Sequence, residues 1–327
     1  MKAIVLGATG FIGSHVARSL AQEGIDVRVL SRGTSPSLAL EGLHVERVMG
    51  DLDDKKSLIQ GMKGCQALFH VAGYYPLYSL NRKPQKRTAL AQMTNVLEAA
   101  AEAGVEKTVY TSSMSAIGKT ADGSPSDEDT PYDTNYFKGL YYEIKYLQEQ
   151  LALEAARKGR HIVVVNPTGV FGDYDVKPTS GALIVALAKA QVPFLFDALM
   201  NAVDAGDVGR GQVAALKQGR SGRRYLLGGH NTTVWELAQK VCRIAKVRMP
   251  FGRLPLFVGE VLAMVSEVVG DFFNRPKPLL PQVGIDFLKY GMHYDTSRAR
   301  KELGFTATPL EETLERAIAW FRKHRYL

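Results

Sequence analysis

Along the first half of the chain, short apolar, strand-like runs alternate with segments in which apolar residues recur every three or four positions. The runs fall at 3–6, 27–30, 45–49, 67–71, 108–113 and 162–167. Between them, Ile12, Val16 and Leu20 share one helix face, 88–103 is alanine-rich with helical spacing, and another helix passes through 141–145. Six strands alternating with helices predict an α/β protein with a doubly wound parallel sheet over residues 1–170. Past Gly172 the alternation breaks and prolines and glycines become frequent, so a smaller substrate-binding region is expected at 171–327, partly returning to the sheet domain. Residues 254–273 form its most apolar stretch, interrupted by Glu260, Glu267 and Asp271. That pattern reads as an amphipathic helix rather than a membrane span and leaves binding to a bilayer surface open. Phe194, Leu195 and Phe196 offer a further apolar wall, or ordinary core, and 310–323 predicts a closing amphipathic helix with Trp320.

The first strand runs straight into Gly7-Ala8-Thr9-Gly10-Phe11-Ile12-Gly13. Gly7 permits a tight turn, Gly10 lets the backbone approach an anion without a Cβ in the way, and Gly13 lets the helix pack close to the strand. The free amides of the first helical turn then face a pyrophosphate at the positive end of the helix dipole. The second strand ends at Ser31-Arg32-Gly33. There an acidic residue would take ribose hydroxyls, whereas an arginine accommodates a 2′-phosphate. Arg32 therefore points to NADP(H), with NAD(H) the alternative if it is only a loop arginine in solvent. After the fourth strand, Ala72 and Gly73 are small enough for the chain to lie against a cofactor. Tyr74, Tyr75 and Tyr78 follow at the ligand edge of the sheet, lining a pocket or simply packing. His70 sits inside an apolar run and reads as a hydrogen-bonded core histidine rather than an acid or base. The fifth strand ends in the hydroxyls of Thr111, Ser112 and Ser113, and the polar loop at 119–135 is long enough to act as a flap.

Tyr141 and Lys145 are four apart and so share a helix face. A phenol with an ordinary pKa of about 10 is a poor base near neutrality, but an adjacent ammonium stabilises its phenolate. Such a tyrosine can exchange a proton with a carbonyl oxygen while hydride moves to or from nicotinamide, with Ser113 supporting the same oxygen. The glycine turn, the strand ending at Ser113 and the tyrosine–lysine pair together resemble the extended short-chain dehydrogenase/reductases of the NAD-dependent epimerase/dehydratase family. The similarity runs over nearly the whole chain, and dihydroflavonol-reductase-like enzymes and the hopanoid-associated sugar-epimerase group look closest.

That resemblance implies a Rossmann-type fold. It assigns Ser113 to orient the substrate oxygen, Tyr141 to act as acid or base, and Lys145 to lower the tyrosine pKa and hold the nicotinamide ribose. It also implies that Asp51 and Leu52 bracket the adenine, although simple turn and cap chemistry explains them equally. Thr111, Pro167 and Val170 would lie near the nicotinamide, and Phe11, Ile12 and Thr9 would join the glycines at the phosphates. Relatives usually carry asparagine and glycine where this chain has Ala89 and Gln92. Met114 and Ser115 replace the acidic pair of dehydratases, and 200–204 lacks the arginine that grips a sugar nucleotide's diphosphate. A partly apolar carbonyl or alcohol substrate is therefore expected, reduced or oxidised with NADP(H). The alternatives are an NAD-retaining sugar epimerase and a nucleotide-sensing protein without turnover.

Charge changes this picture little. The net charge is +8, but the basic residues are dispersed and lack interleaved stacking aromatics, which argues against a nucleic-acid partner. Cys65 and Cys242, far apart and without metal-ligand spacing, read as buried, reduced thiols. With a strand beginning at residue 3, no signal peptide is expected, and a cytoplasmic protein without a transmembrane segment fits the whole, with a homodimer left open.

Overall fold

The computed structural model describes residues 1–33, 38–74, 82–272 and 282–327, with the backbone alone at 264, 265, 267–272 and 282. The first half alternates β1 (Lys2–Leu6), α1 (Phe11–Gln22), β2 (Asp26–Ser31), β3 (Glu46–Met49), α2 (Lys55–Met62), β4 (Ala67–His70), α3 (Arg82–Glu102), β5 (Lys107–Thr111), α4 (Leu140–Arg157) and β6 (His161–Pro167). There follow β7 (Gly169–Phe171), α5 (Gly181–Ala188), β8 (Phe194–Phe196), β9 (Leu199–Asp204), α6 (Ala205–Gln218), β10 (Arg224–Leu227) and β11 (His230–Thr233). The chain ends with α7 (Val234–Ala245), β12 (Gly252–Leu254), α8 (Leu256–Phe272), α9 (Gln282–Lys289), α10 (Ser297–Leu303) and α11 (Leu310–Lys323).

Seven strands form one sheet in the order β10-β6-β5-β4-β1-β2-β3, and every pairing is parallel. Both faces are covered, as a parallel sheet requires. In β1, Ala3 and Val5 join the core on the α1 and α6 side, while Ile4 and Leu6 join the core beneath α2 and α3. The order reverses between β1 and β4, so the glycine turn after β1 and the Ala72–Gly73 step after β4 open onto the same crevice.

The doubly wound parallel sheet is as the sequence predicts, with one strand more. β10, four residues long, comes from beyond Gly172 and adds to β6, with α6 packing beside α1. The fifth strand stops at Thr111; Ser113 is extended but caps a 3-10 turn at Met114–Ala116. Loop 119–135 is pinned at its centre rather than free to swing. Ser126 bridges to Tyr294, and the buried Glu128 carboxylate accepts from the Leu226 amide at 2.7 Å. α5, α7 and α11 enclose a second core around Leu237, Val241, Leu314 and Phe321. Two small sheets, β11-β9-β7 and β12-β8, complete this region. Among the described residues no helix is long and apolar enough to cross a membrane.

Candidate active site

The turn after β1 is shaped by what its glycines exclude. Gly7 has φ +89°, and a Cβ there would lie 2.7 Å from the Ala72 amide nitrogen; at Gly13 it would lie 2.2 Å from the Gly7 carbonyl oxygen. Only glycine fits such backbone-to-backbone contacts. Gly10 caps α1 without a side chain, and no acidic residue stands in the first turn, so the amides around Phe11 and Ile12 remain available to an anion.

A cleft of about 290 Å³ opens above this turn, lined by Gly7 and Thr9 after β1, Ser31 and Arg32 at the end of β2, Asp51 and Leu52 after β3, and Ala72 and Gly73 after β4. Arg32 is exposed at the end of β2 and forms no ion pair among the described residues. Asp51 serves its own turn, accepting from the Asp53 amide at 3.0 Å, while Asp54 caps α2. Gln92 and Asn95 of α3 hold that turn through Asp53 and the Leu52 carbonyl, both at 3.0 Å. Gln92 also lines the cleft, so the residue that departs from the family pattern is part of the site wall. The glycine cradle, the uncapped helix and the lone arginine fit a dinucleotide phosphate chain. A larger cleft of about 680 Å³, beside Glu236, Lys240 and Glu311, contains none of the sequence-predicted residues.

The catalytic candidates gather where the cleft meets α4. A Cβ on Gly73 would stand 3.9 Å from the Lys145 Nζ, so the two sets of residues adjoin. Lys145 donates to the Thr111 carbonyl at 3.4 Å, while the Thr111 hydroxyl is turned to Gln212. Burial pushes the Lys145 ammonium down to about 8, with Glu149 acting against that shift. Tyr141 is buried, its ring 5.4 Å from Phe287 of α9. Burial raises its phenol to about 12, and a hydrogen bond with Ser113 acts in the lowering direction. Burial prevails in this shift, and the contact that moderates it is Ser113. Ser113 Oγ accepts from the Ser115 amide at 3.1 Å and donates to the Ser115 hydroxyl at 3.2 Å. Tyr142 packs in an aromatic cluster with Phe137 and Tyr290, and its phenol is hydrogen-bonded to Ser115.

Pro167 ends β6 and Val170 lies at the centre of β7, both buried, and the Val170 carbonyl accepts from Ser180. His70 is buried on β4 and burial lowers its pKa to about 3. It is a core histidine as expected, but its Nδ1 has no hydrogen-bond partner among the described residues. Tyr74 lines the cleft, whereas Tyr75 and Tyr78 lie outside the described residues. Both cysteines are buried and free.

Sequence reasoning missed a polar cluster beneath these groups. Glu149, fully buried, follows Tyr141 and Lys145 at the next four-residue step of α4, a signal open to the same helix-face argument. It accepts from Asn166 Nδ2 at 2.6 Å and from Arg224 Nη1 at 3.0 Å. Asn166 also donates to the Ser113 carbonyl at 2.9 Å, and Arg224 donates to the Glu128 carbonyl. Burial raises the Glu149 carboxyl, while Arg224 acts to hold it down. The cluster thus ties α4, β6, β10 and the pinned loop to the main chain at Ser113.

A family model described as "NAD dependent epimerase/dehydratase family" matches residues 3–228. The chain is 36% identical to a Synechocystis sp. protein named "Putative dihydroflavonol 4-reductase", over 99% of this chain and 95% of that one. It is 29% identical to "Sterol demethylase protein B" of Methylococcus capsulatus, over 99% of each. Among solved structures it resembles PA4631 of Pseudomonas aeruginosa, described as a nucleoside-diphosphate-sugar epimerase, with a TM-score of 0.84, 29% identity and coverage of 100% of this chain and 99% of that one. The chain belongs to the NAD-dependent epimerase/dehydratase family, the extended short-chain dehydrogenase/reductases, and is an NAD(P)-dependent oxidoreductase.

Proposed function

We propose that this oxidoreductase reduces a ketone or aldehyde on a partly apolar small molecule, with NADPH preferred over NADH. The observation that carries the reading is the setting of Tyr141: a buried phenol bonded to Ser113, beside Lys145 and facing the Phe287 ring. With a pKa near 12 it keeps its proton throughout the neutral range, as a proton donor to a reduced carbonyl must. Ser113 supports the carbonyl oxygen as charge develops, and Tyr141 delivers the proton to it. Lys145, poised at the Thr111 carbonyl, offers its ammonium to the ribose hydroxyls, and Arg32 meets the 2′-phosphate. The bound nicotinamide supplies the hydride. Asp51, Leu52, Ala72 and Gly73 hold the adenosine and nicotinamide ends of the cleft, and Pro167 and Val170 close it past β6. The naming of the Methylococcus relative for a sterol, and the aromatic wall at Phe287, support an apolar substrate body.

The epimerase-like PA4631 favours a second reading, an epimerase that keeps NAD and returns the hydride to the opposite face. Against it, Asn201 occupies the segment where an arginine would grip a diphosphate, and its side chain is taken up by Thr168, Gly229 and Asn231. Steady NADPH oxidation against a panel of aromatic, alicyclic and isoprenoid ketones is the expected result. Purification with tightly held NAD, and sugar interconversion without net nucleotide change, would overturn the reductase reading.

A further inference from the structure

Five of the nine exposed large hydrophobic side chains among the described residues belong to one unit made by β8, β12 and α8. Phe194, Phe251, Phe257, Val261 and Leu262 are between 46% and 86% exposed. α8 is held from behind: Gly259 lies against Ile285 of α9 and Phe196 of β8, Ala263 is buried, and Glu260 pairs with Lys289 at 2.6 Å. Among the described residues of the opposite face, Phe257 and Val261, one turn apart, and Leu262 beside them are half or more exposed.

Charge singles out an occupant for this face. Residues 237–259 contain Lys240, Arg243, Lys246, Arg248 and Arg253 and no carboxylate. Glu311 engages Lys240 and Arg243, and Asp197 engages Arg253. Lys246 and Arg248 are exposed and form no ion pair with a described residue. The core of a protein–protein interface is depleted of lysine, and these cations, three to five residues before the exposed Phe251, would have to be desolvated there. An anionic bilayer takes both features at once, apolar side chains below the headgroups and cations at the lipid phosphates.

We propose that the α8 face docks on the surface of an anionic lipid bilayer, with Phe257, Val261 and Leu262 entering the interface and Lys246 and Arg248 meeting lipid phosphates. α9 supports this face through Ile285 and reaches the active site through Phe287, 5.4 Å from the Tyr141 ring. An apolar substrate carried in the bilayer would then have α9 between it and Tyr141. That last consequence rests on the reductase reading; the docking does not.

The test is co-sedimentation of the full chain with vesicles of phosphatidylcholine alone and of equimolar phosphatidylcholine and phosphatidylglycerol. Binding to the mixed vesicles only is expected, weakening as salt is raised. The double variants Phe257→Glu/Val261→Glu and Lys246→Glu/Arg248→Glu should each bind about tenfold more weakly or worse. Unchanged unfolding midpoints and nucleotide affinity would show that both variants are folded. No binding to mixed vesicles, or binding untouched by either variant, would overturn the proposal. So would a dimer in lipid-free buffer that Phe257→Glu/Val261→Glu converts to a monomer, because the face would then belong to a second copy.

Discussion

The nucleotide end of the sheet and the α8–α9 region are both rich in apolar residues, yet different parts of the chain limit them. Around Gly7 and Gly13 the limits are backbone atoms, 2.2 to 2.7 Å from where a Cβ would stand. Around α8 and α9 they are side chains: Ile285 and Phe196 behind Gly259, Phe287 against Tyr141, and, among the described residues of the outer face, side chains half or more exposed. Backbone cannot move aside, so the first region admits few sequences and reveals itself by its glycines. Side chains can repack, so the second admits many and can vary with the substrate.

The largest effect separates the chemistry from both scaffolds. Tyr141→Phe keeps the ring packed against Phe287 and removes only the proton donor, so turnover should fall by roughly 10² to 10⁴-fold with nucleotide affinity nearly unchanged. Steady-state rates together with nucleotide titration check this. Activity close to wild type would move the proton donor to another group.

Next comes the backbone-limited region itself. Gly13→Ala drives a methyl group into the Gly7 carbonyl, with no flexible side chain to yield. A loss of about 3 kcal/mol in unfolding free energy, with nucleotide binding abolished, is expected from urea denaturation and titration. A stable, nucleotide-binding Gly13→Ala protein would break the comparison at its foundation.

How much of the molecule was legible follows the same division. Six sheet strands could be read because buried parallel strands must be short apolar runs, and the glycine turn because its spacing states a steric fact. β10 escaped because four residues, Arg224 to Leu227, sit between irregular segments and gain strand character only by adding to β6. The Tyr141–Lys145 step on α4 was visible from helix periodicity. Its continuation to Glu149 was equally visible, but its partners Asn166 and Arg224 come from distant strands that local spacing does not join. The pinning of loop 119–135 by Ser126 and Glu128 was hidden for the same reason: a polar sequence reads as solvated until a buried partner is known. Burial, a property of the whole fold that spacing along the chain does not report, sets the direction of the phenol pKa, with Ser113 acting against it.

Arg32 tests whether the legible half also encodes cofactor choice. Paired charge-assisted hydrogen bonds to a 2′-phosphate are worth about 1.5 to 3 kcal/mol, roughly ten- to a hundredfold in affinity. NADPH should therefore bind more tightly than NADH by that margin, and Arg32→Asp should reverse the order. Equal affinities in the wild type would make Arg32 a solvent-facing loop residue and strengthen the epimerase reading.

Lys145 offers a milder, pH-dependent test inside the nucleotide half. Its ammonium is pushed down to about 8 by burial, so it is charged below that pH and loses its charge as pH rises through it. If ribose binding needs the charge, kcat/KM should fall about tenfold between pH 7 and 9. Tyr141, at about 12, stays protonated over that span and cannot cause the fall. Lys145→Arg keeps a positive charge at all these pH values and should flatten the limb. A limb that persists in Lys145→Arg would assign the titration elsewhere.

The smallest effect has the opposite sign and lies in the side-chain-limited half. Gly284 is inside α9, its φ is not positive, and a Cβ there would meet no atom of a described residue within 4 Å. Glycine in a helix costs about 0.5 to 1 kcal/mol relative to alanine through the freedom it keeps when unfolded. Gly284→Ala should thus stabilise the chain by about that much in urea denaturation, where Gly13→Ala destabilises it several times more strongly. One substitution type, placed at two glycines, then reads out which region is bounded by backbone and which by space. A destabilised Gly284→Ala protein would mean that something packs against α9 at that position, and that the second region is as tightly bounded as the first.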